Sequence, residues 1–359
     1  MNVLNASRSA PPLHDLLGVS FEFNSLSQAL VWDRDFACFG LADGAVAILR
    51  AHWQGAPDIS PRAGGGIELV PASGPPAPPA IFALHRGGVK TLAADPLGGV
   101  ISGGADGFLL RLADGEVQPL EKLPRRAITA VAAGRGARRA YAAGRHVDFL
   151  GPDGKRLAMP AAVTVLAYDP AGLHIAVGHQ TGVSLEACGL RDNPRLDLAA
   201  PVSALAWRAD GGALAAASPA GAALRDRASK QWERLENLPG PVASLGFLPD
   251  GALVLGGADF VCIHRQDSGW LRDGALLRGP VSCHPRLQVF AAADAEGRLW
   301  LRGDGAQESI LLREPGPAVT HLAFSPDGQA LAFAAADGEA ATVILPDLLF
   351  RPSARSVAA

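Results

Sequence analysis

The chain has 359 residues, 48% of them hydrophobic, 6% aromatic and 19% charged, with 32 Lys plus Arg against 35 Asp plus Glu. This apolar content excludes wholesale disorder. A formal net charge of −3 argues against a polyanion binder that works by clustered excess cation, so nucleic acid is not an expected partner.

Length permits two or three domains, or one large barrel or propeller. No run approaches the roughly 18 apolar residues of a membrane span, and no membrane partner is expected. Met1 to Asp15 lack the basic start and apolar run of a signal peptide. The four cysteines, Cys38, Cys188, Cys262 and Cys283, form no CxxC pair. They are too few for a disulfide scaffold, which makes a reducing, cytoplasmic setting the expectation. Arg outnumbers Lys, and Ala and Gly are heavy, a pattern attributed to a GC-rich genome.

In chain order, residues 1–16 read as a tail. Val19, Phe21 and Phe23 alternate with Ser20 and Glu22, the pattern of a half-buried strand. A pattern of Val or Ile, then Leu or Val three residues on, then Ala or an aromatic, follows repeatedly. It is degenerate at Ser27, Leu30 and Trp32, and clear at Val89, Leu92 and Ala94. Further copies begin at Ile128, Val163, Val202, Val242 and Val319, with a weak one at Val281 that puts His284 in the Leu position. The middle positions are 30, 92, 131, 166, 205, 245, 284 and 322, so every spacing but the first lies between 35 and 40 residues.

Each copy continues in the same order. A turn such as Asp95-Pro-Leu-Gly98 or Ser325-Pro-Asp-Gly328 comes first. A second apolar run ends in small residues, and an Asp-Gly turn such as Asp106-Gly107 leads to a third run. A fourth, more polar run closes the unit. Four antiparallel strands per period, without helical periodicity, predict an all-β fold: a β-propeller of four-stranded blades.

Eight blades are favoured, with seven the alternative if the first or the Val281 unit forms no sheet. The last unit has three strands and would borrow its outer strand from the N-terminal segment, leaving no open sheet edge. A single propeller is thus expected over residues 17–350, with a tail at 351–359. The long first spacing holds an insertion, residues 52–80, rich in Gly and Pro, expected to be extended or flexible and not to pack.

Val319 to Gly338, VTHLAFSPDGQALAFAAADG, resembles the central stretch of the WD40-repeat family, in a divergent, bacterial-type form. His85, four residues before Val89, matches that family's GH element. The resemblance covers about Leu17 to Leu345. It implies structural roles for His85, Asp106, Asp294, Trp300 and Asp327, and it implies a scaffold for protein–protein interaction. Departures are plain: His precedes the first strand only at His85, and the third-strand Trp survives only as Trp300. The family's Asp–His–Ser/Thr–Trp tetrad is therefore expected to be incomplete in every unit.

No nucleophile elbow, P-loop, GxGxxG or HExxH occurs. Cys262 and His264 with Cys283 and His284 form the best metal candidate, disfavoured because adjacent Cys283 and His284 point to opposite faces of a strand. His174 and His179, five apart on one strand, likewise face opposite ways. Neither catalytic residue, metal nor cofactor is expected. The Trp residues share no quinoprotein-type docking motif. A non-enzymatic scaffold for unidentified protein partners is the leading expectation. A hydrolase or metal-dependent propeller enzyme, or a small-ligand sensor using the channel, is the alternative.

One charge cluster stands out. Lys122, Arg125, Arg126, Arg135, Arg138, Arg139 and Arg145 lie together with no acid among them. Blade geometry assigns Arg125, Arg126 and Arg145 to the top face as the candidate partner-binding residues. The others of the run at 135–139 fall in the opposite turn.

Overall fold

Turn chemistry and strand alternation together dictate a meander, in which each strand pairs with the next in sequence. The structure, a computed structural model, describes residues 11–350 apart from 63–65, 152–153, 188–194, 266–268, 273–276 and 304–308. Among the described residues the strands form eight four-stranded antiparallel sheets and one two-stranded hairpin. The eight innermost strands are Ser27–Asp33, Val89–Ala94, Ala130–Gly134, Val163–Tyr168, Ala204–Trp207, Val242–Phe247, Leu277–Cys283 and Val319–Phe324. They number blades 1 to 8, and each packs beside the next in an unbroken cycle from blade 1 back to blade 1. The fold is an eight-bladed β-propeller.

The outer strand of blade 8 is Gly18–Glu22, antiparallel to Glu339–Ile344 with Phe21 opposite Ala340. The N-terminus thus closes the ring, so the third strand of blade 8 is not left as an edge.

Several second strands are rich in Ala, and burial on both faces explains this. Ala213–Ser218 and Ala330–Ala335 are buried at every position. Each lies between two neighbouring blades, where its Ala positions let the sheets approach closely around a few large side chains such as Leu214 and Phe333. The Ala content read from the sequence as genomic bias has this structural use.

Inner-strand side chains tie blade to blade. The hydroxyls of Thr129, Thr164 and Ser203 donate to the carbonyls of Val163, Val202 and Val242 in the following blades, at 3.2, 2.7 and 3.1 Å. Thr91 and Ser282 accept the amides of Val131 and Phe324. Ser244 donates to Gly279 O and accepts the Val281 amide. At the closing junction the Trp32 indole donates to Ala323 O at 2.9 Å, and between blades 1 and 2 Asp33 accepts the Gly99 amide at 2.8 Å. Each satisfies a buried polar group while fixing the angle between blades.

The structure corrects three expectations. First, Val281 pairs with Ala292, whereas Leu92 of blade 2 pairs with Ser102. Both partners lie five residues before the glycine of the next turn, so Val281 holds the Leu position and His284 does not. A bulge between Arg278 and Val281 displaces the pattern and hid the register. His284 occupies the turn position of Asp95 and Asp169, and its Nδ1 accepts the amides of Arg286 and Leu287 at 3.1 and 3.0 Å. Its Nε2 donates to Gly328 O at 3.1 Å.

Second, the insertion packs. Asp58–Pro61 and Ile67–Val70 form a hairpin whose Ile59 is buried, with Trp53, Ala56 and Ile67 half-buried beside it. Few apolar residues suffice, because the amides of a hairpin are paired and its turns tolerate Gly and Pro. Third, the segment read as a tail to residue 16 contains a helix, Leu13–Leu17. Leu13 and Leu17 are buried with Ile59 and with Leu349 of a terminal 3-10 helix, Asp347–Phe350. Three pieces remote in sequence therefore seal blades 7 and 8.

Burial pushes the pKa of His14, His179, His264, His284 and His321 down; for His284 it does so against the raising effect of the Gly328 carbonyl. These folded values lie below the unfolded value of about 6.5, so the unfolded chain binds more protons as the solution is acidified. Their contribution to stability is present above pH ~6.5 and is lost as pH falls through the folded values. Calorimetric melts are expected to show Tm falling between about pH 7.5 and pH 5.5. His284→Asn, whose side-chain oxygen can still cap the turn, is expected to reduce the slope. An unchanged slope would refute the role of His284.

Candidate interaction site on the top face

The top face is made by the turns between second and third strands and by the connections from each fourth strand to the next blade. Residues 123–129 connect blade 2 to blade 3. The Leu123 amide donates to Gly107 O and the Ile128 amide to Gly104 O, at 2.9 and 3.1 Å. Ile128 is fully buried and anchors the connection. Gly107 has φ +82, and a Cβ there would lie 2.2 Å from Leu123 O and 2.7 Å from Arg126 O. The turn and the connection can touch only because this residue is glycine.

Between the two anchors the chain bulges into solvent, with Arg125 at φ +58. Arg125 and Arg126 are exposed, as is Arg145 in the Gly144–Arg145 turn of blade 3. That turn is held from below: the Val163 amide donates to Gly144 O and the Met159 amide to Arg145 O, both at 2.8 Å. Arg126 and Arg145, with Thr129 and His146, line an open depression of about 450 Å³. Arg125 stands beside it and is not part of its lining. Among the described residues no hydrogen bond or ion pair engages the three guanidinium groups.

Two bottom arginines of the same sequence cluster are spent on structure, while the third, Arg135, is exposed. Arg139 donates to Asp95 Oδ2 at 2.6 Å and Arg138 to Gly172 O at 3.0 Å. Arg111 donates to the same Asp95 oxygen at 2.6 Å. Sequence composition alone cannot separate these two groups, because the difference lies in which turn each residue enters.

The structural motif residues are placed as follows. His85 Nδ1 donates to Asp106 Oδ1 at 3.0 Å, and its Nε2 meets the Ser102 hydroxyl at 2.9 Å. Leu110 pairs with Ser102 where the tetrad would have Trp, so blade 2 keeps three of the four groups. A Cβ on Gly104 would lie 2.2 Å from the His85 ring, which explains the glycine. Burial pushes the Asp106 pKa up, but the amides of Arg86 and Phe108 and the His85 ring outweigh it and hold the carboxyl below its ordinary value.

In blade 7 the position equivalent to Ser102 is Ala292, opposite Trp300. The indole of Trp300 donates instead to Asp294 Oδ2 at 3.1 Å, and Asp294 sits two residues before the tetrad position. Asp327 accepts the Ser325 hydroxyl at 2.6 Å and the Gln329 amide at 3.0 Å, which closes its turn.

The cysteine–histidine group is not brought together. Cys262 packs towards blade 5, while Cys283 lies against the opposite face of blade 6. Burial pushes the Cys38 thiol up to about 12. Cys188 lies outside the described residues. Among the described residues no three His, Cys, Asp or Glu side chains gather as a metal site, and no helix is long and apolar enough to cross a membrane.

No protein-family model and no curated protein matches the sequence. Solved structures do resemble the fold. A chain of the mitotic checkpoint complex crystal structure is similar at TM-score 0.58 and 17% identity, covering 71% of this chain and 89% of that one. The computationally designed Ika8 protein is similar at TM-score 0.64 and 18% identity, covering 90% and 97%. At these identities the likeness is one of propeller architecture.

Proposed function

We propose that this propeller is a non-enzymatic, WD40-type scaffold, working in the cytoplasm, whose top face docks an acidic segment of a partner protein. The observation that carries the reading is the division of labour among the arginines. Arg138, Arg139 and Arg111 are consumed by carboxylate and carbonyl, whereas Arg126 and Arg145 stand unpaired on one depression. A planar guanidinium fork suits carboxylates of a peptide, and two on one concavity favour Asp- or Glu-rich sequence. The rigid ring beneath holds both turns without needing to reorganise. That a structurally similar chain occurs in the mitotic checkpoint complex is consistent with propellers serving in assemblies.

Arg126→Glu with Arg145→Glu is expected to weaken the partner at least tenfold, which is about 1.4 kcal/mol. Native-host affinity capture with quantitative mass spectrometry, wild type against the double variant, identifies what is lost. Anisotropy with a Glu-rich peptide, repeated across salt, measures how much. Retention of every captured partner by the double variant would remove the proposal.

A further inference from the structure

Two buried hydrogen-bond donors in blade 5 have no acceptor. Arg225 is 8% exposed, and its Nε is buried without a partner, as is the indole Nε1 of Trp232. The two residues are cross-strand partners, Arg225 on Gly221–Asp226 and Trp232 on Trp232–Leu235. Side chains so paired project from the same face of the sheet.

That face looks at blade 4. Trp232 packs there with Leu185 and Ala176, and Ala223, two residues before Arg225, packs with Val183 and Leu196. Arg225 lies one residue from the end of its strand, so the pair sits near the bottom rim of the gap between blades 4 and 5. The adjacent carboxylate, Asp226, favours the charge of Arg225 but is turned to the amides of Ala228 and Ser229, which it accepts at 2.9 Å each. Arg227 adds a second positive charge nearby, and burial pushes the Arg225 pKa down. Even so, an arginine keeps its charge in a protein.

A buried guanidinium Nε without an acceptor is costly, whereas the other buried arginine among the described residues, Arg313, meets Glu339 at 2.6 Å. We infer that the gap between blades 4 and 5 is a binding site for a small oxyanion, a carboxylate or phosphate, held by the Arg225 fork and the Trp232 indole N–H. The guanidinium supplies two parallel donors to two oxygens of the anion and the indole supplies a third. Aromatic and aliphatic walls raise the strength of these bonds by excluding water. With so little of Arg225 exposed, the site admits a small anion or the end of a slender one. This inference is independent of the scaffold reading and of the top face.

The test uses the full chain in thermal melts at constant ionic strength, exchanging chloride for inorganic phosphate, sulfate or acetate. Wild type is expected to gain about 2 °C or more with at least one oxyanion, rising with its concentration. The phosphate and acetate arms tell a tetrahedral from a planar ligand. Arg225→Met, which removes the charge and keeps the volume, is expected to abolish that gain. Trp232→Phe keeps the ring and loses the donor, so its half-saturation is expected to rise about fivefold. A wild type indifferent to all three anions relative to chloride would overturn the inference. So would a gain that survives in both variants.

Discussion

Leu17→Ala is expected to cost about 2–5 kcal/mol of stability, among the larger losses any single truncation can cause here. Leu17 is 1% exposed and sits where the helix Leu13–Leu17, the insertion hairpin and the terminal 3-10 helix meet. None of these pieces can shift to fill the void without losing its own contacts. The helix runs directly into the outer strand of blade 8, whose Phe21 packs in the neighbouring cluster with Ala332 and Ala340, so a loosened helix also weakens the ring's closure. Leu349→Ala is expected to behave alike, and the double variant to fall short of the sum because both empty one cluster. Removal of residues 1–22 goes further. It strips the strand from Glu339–Ile344 and leaves an open edge, so the truncated chain is expected to self-associate on size-exclusion chromatography. A truncated chain that stays monomeric with an unchanged denaturation midpoint would show that the ring closes without its N-terminus.

The second large effect belongs to Asp95. Its side chain has no exposure and is bound by two arginines, Arg111 from its own blade and Arg139 from the next, each at 2.6 Å. Burial pushes its pKa up, but hydrogen bonds from Arg111, the Leu97 amide and Arg139 outweigh it and hold the carboxyl below its ordinary value. Asp95→Asn keeps the shape and leaves two partly buried guanidiniums without a counter-charge. The expected cost is about 3 kcal/mol. A folded pKa below the unfolded one means that the wild-type contribution is present above pH ~4 and lost as pH falls through the folded value. The gap between wild type and Asp95→Asn in urea melts is therefore expected to be widest near neutral pH and to close in strong acid. A gap independent of pH would show that Asp95 acts through packing alone.

Much of the architecture is readable before any coordinates. Propeller blades announce themselves because a four-strand meander needs turns at fixed intervals, and Asp, Pro and Gly mark them. Ser325-Pro-Asp-Gly328 and Asp337-Gly338 bracket a buried strand in the order the fold requires. Strand Gly18–Glu22 was legible from alternation, and its partner from the missing fourth strand of the last unit. Blade 7 was misread in register because a bulge adds residues without changing the apolar pattern, so a count along the chain lands on His284 instead of Val281. The candidate site was legible only in part. Three of its cations could be placed on one face, but Arg126 and Arg145 share a depression whereas Arg125 does not.

By itself, then, the order of residues showed what repeats and at what spacing, and pointed to how the ring shuts, since hydrogen-bonded hairpins are local and their turn residues are chemically distinctive. Eight blades rather than seven were decided by the fold. Only the tertiary structure decided which charges are free and which are bound. Arg139 and Arg145 look alike in sequence, yet one meets a carboxylate 44 positions away and the other meets solvent. It also decided that Leu13, Leu17, Ile59 and Leu349 form one cluster, and that Arg225 and Trp232, cross-strand partners, each hold a buried donor without an acceptor. Such relations depend on which blades the closed ring makes neighbours, and no local pattern encodes that distance.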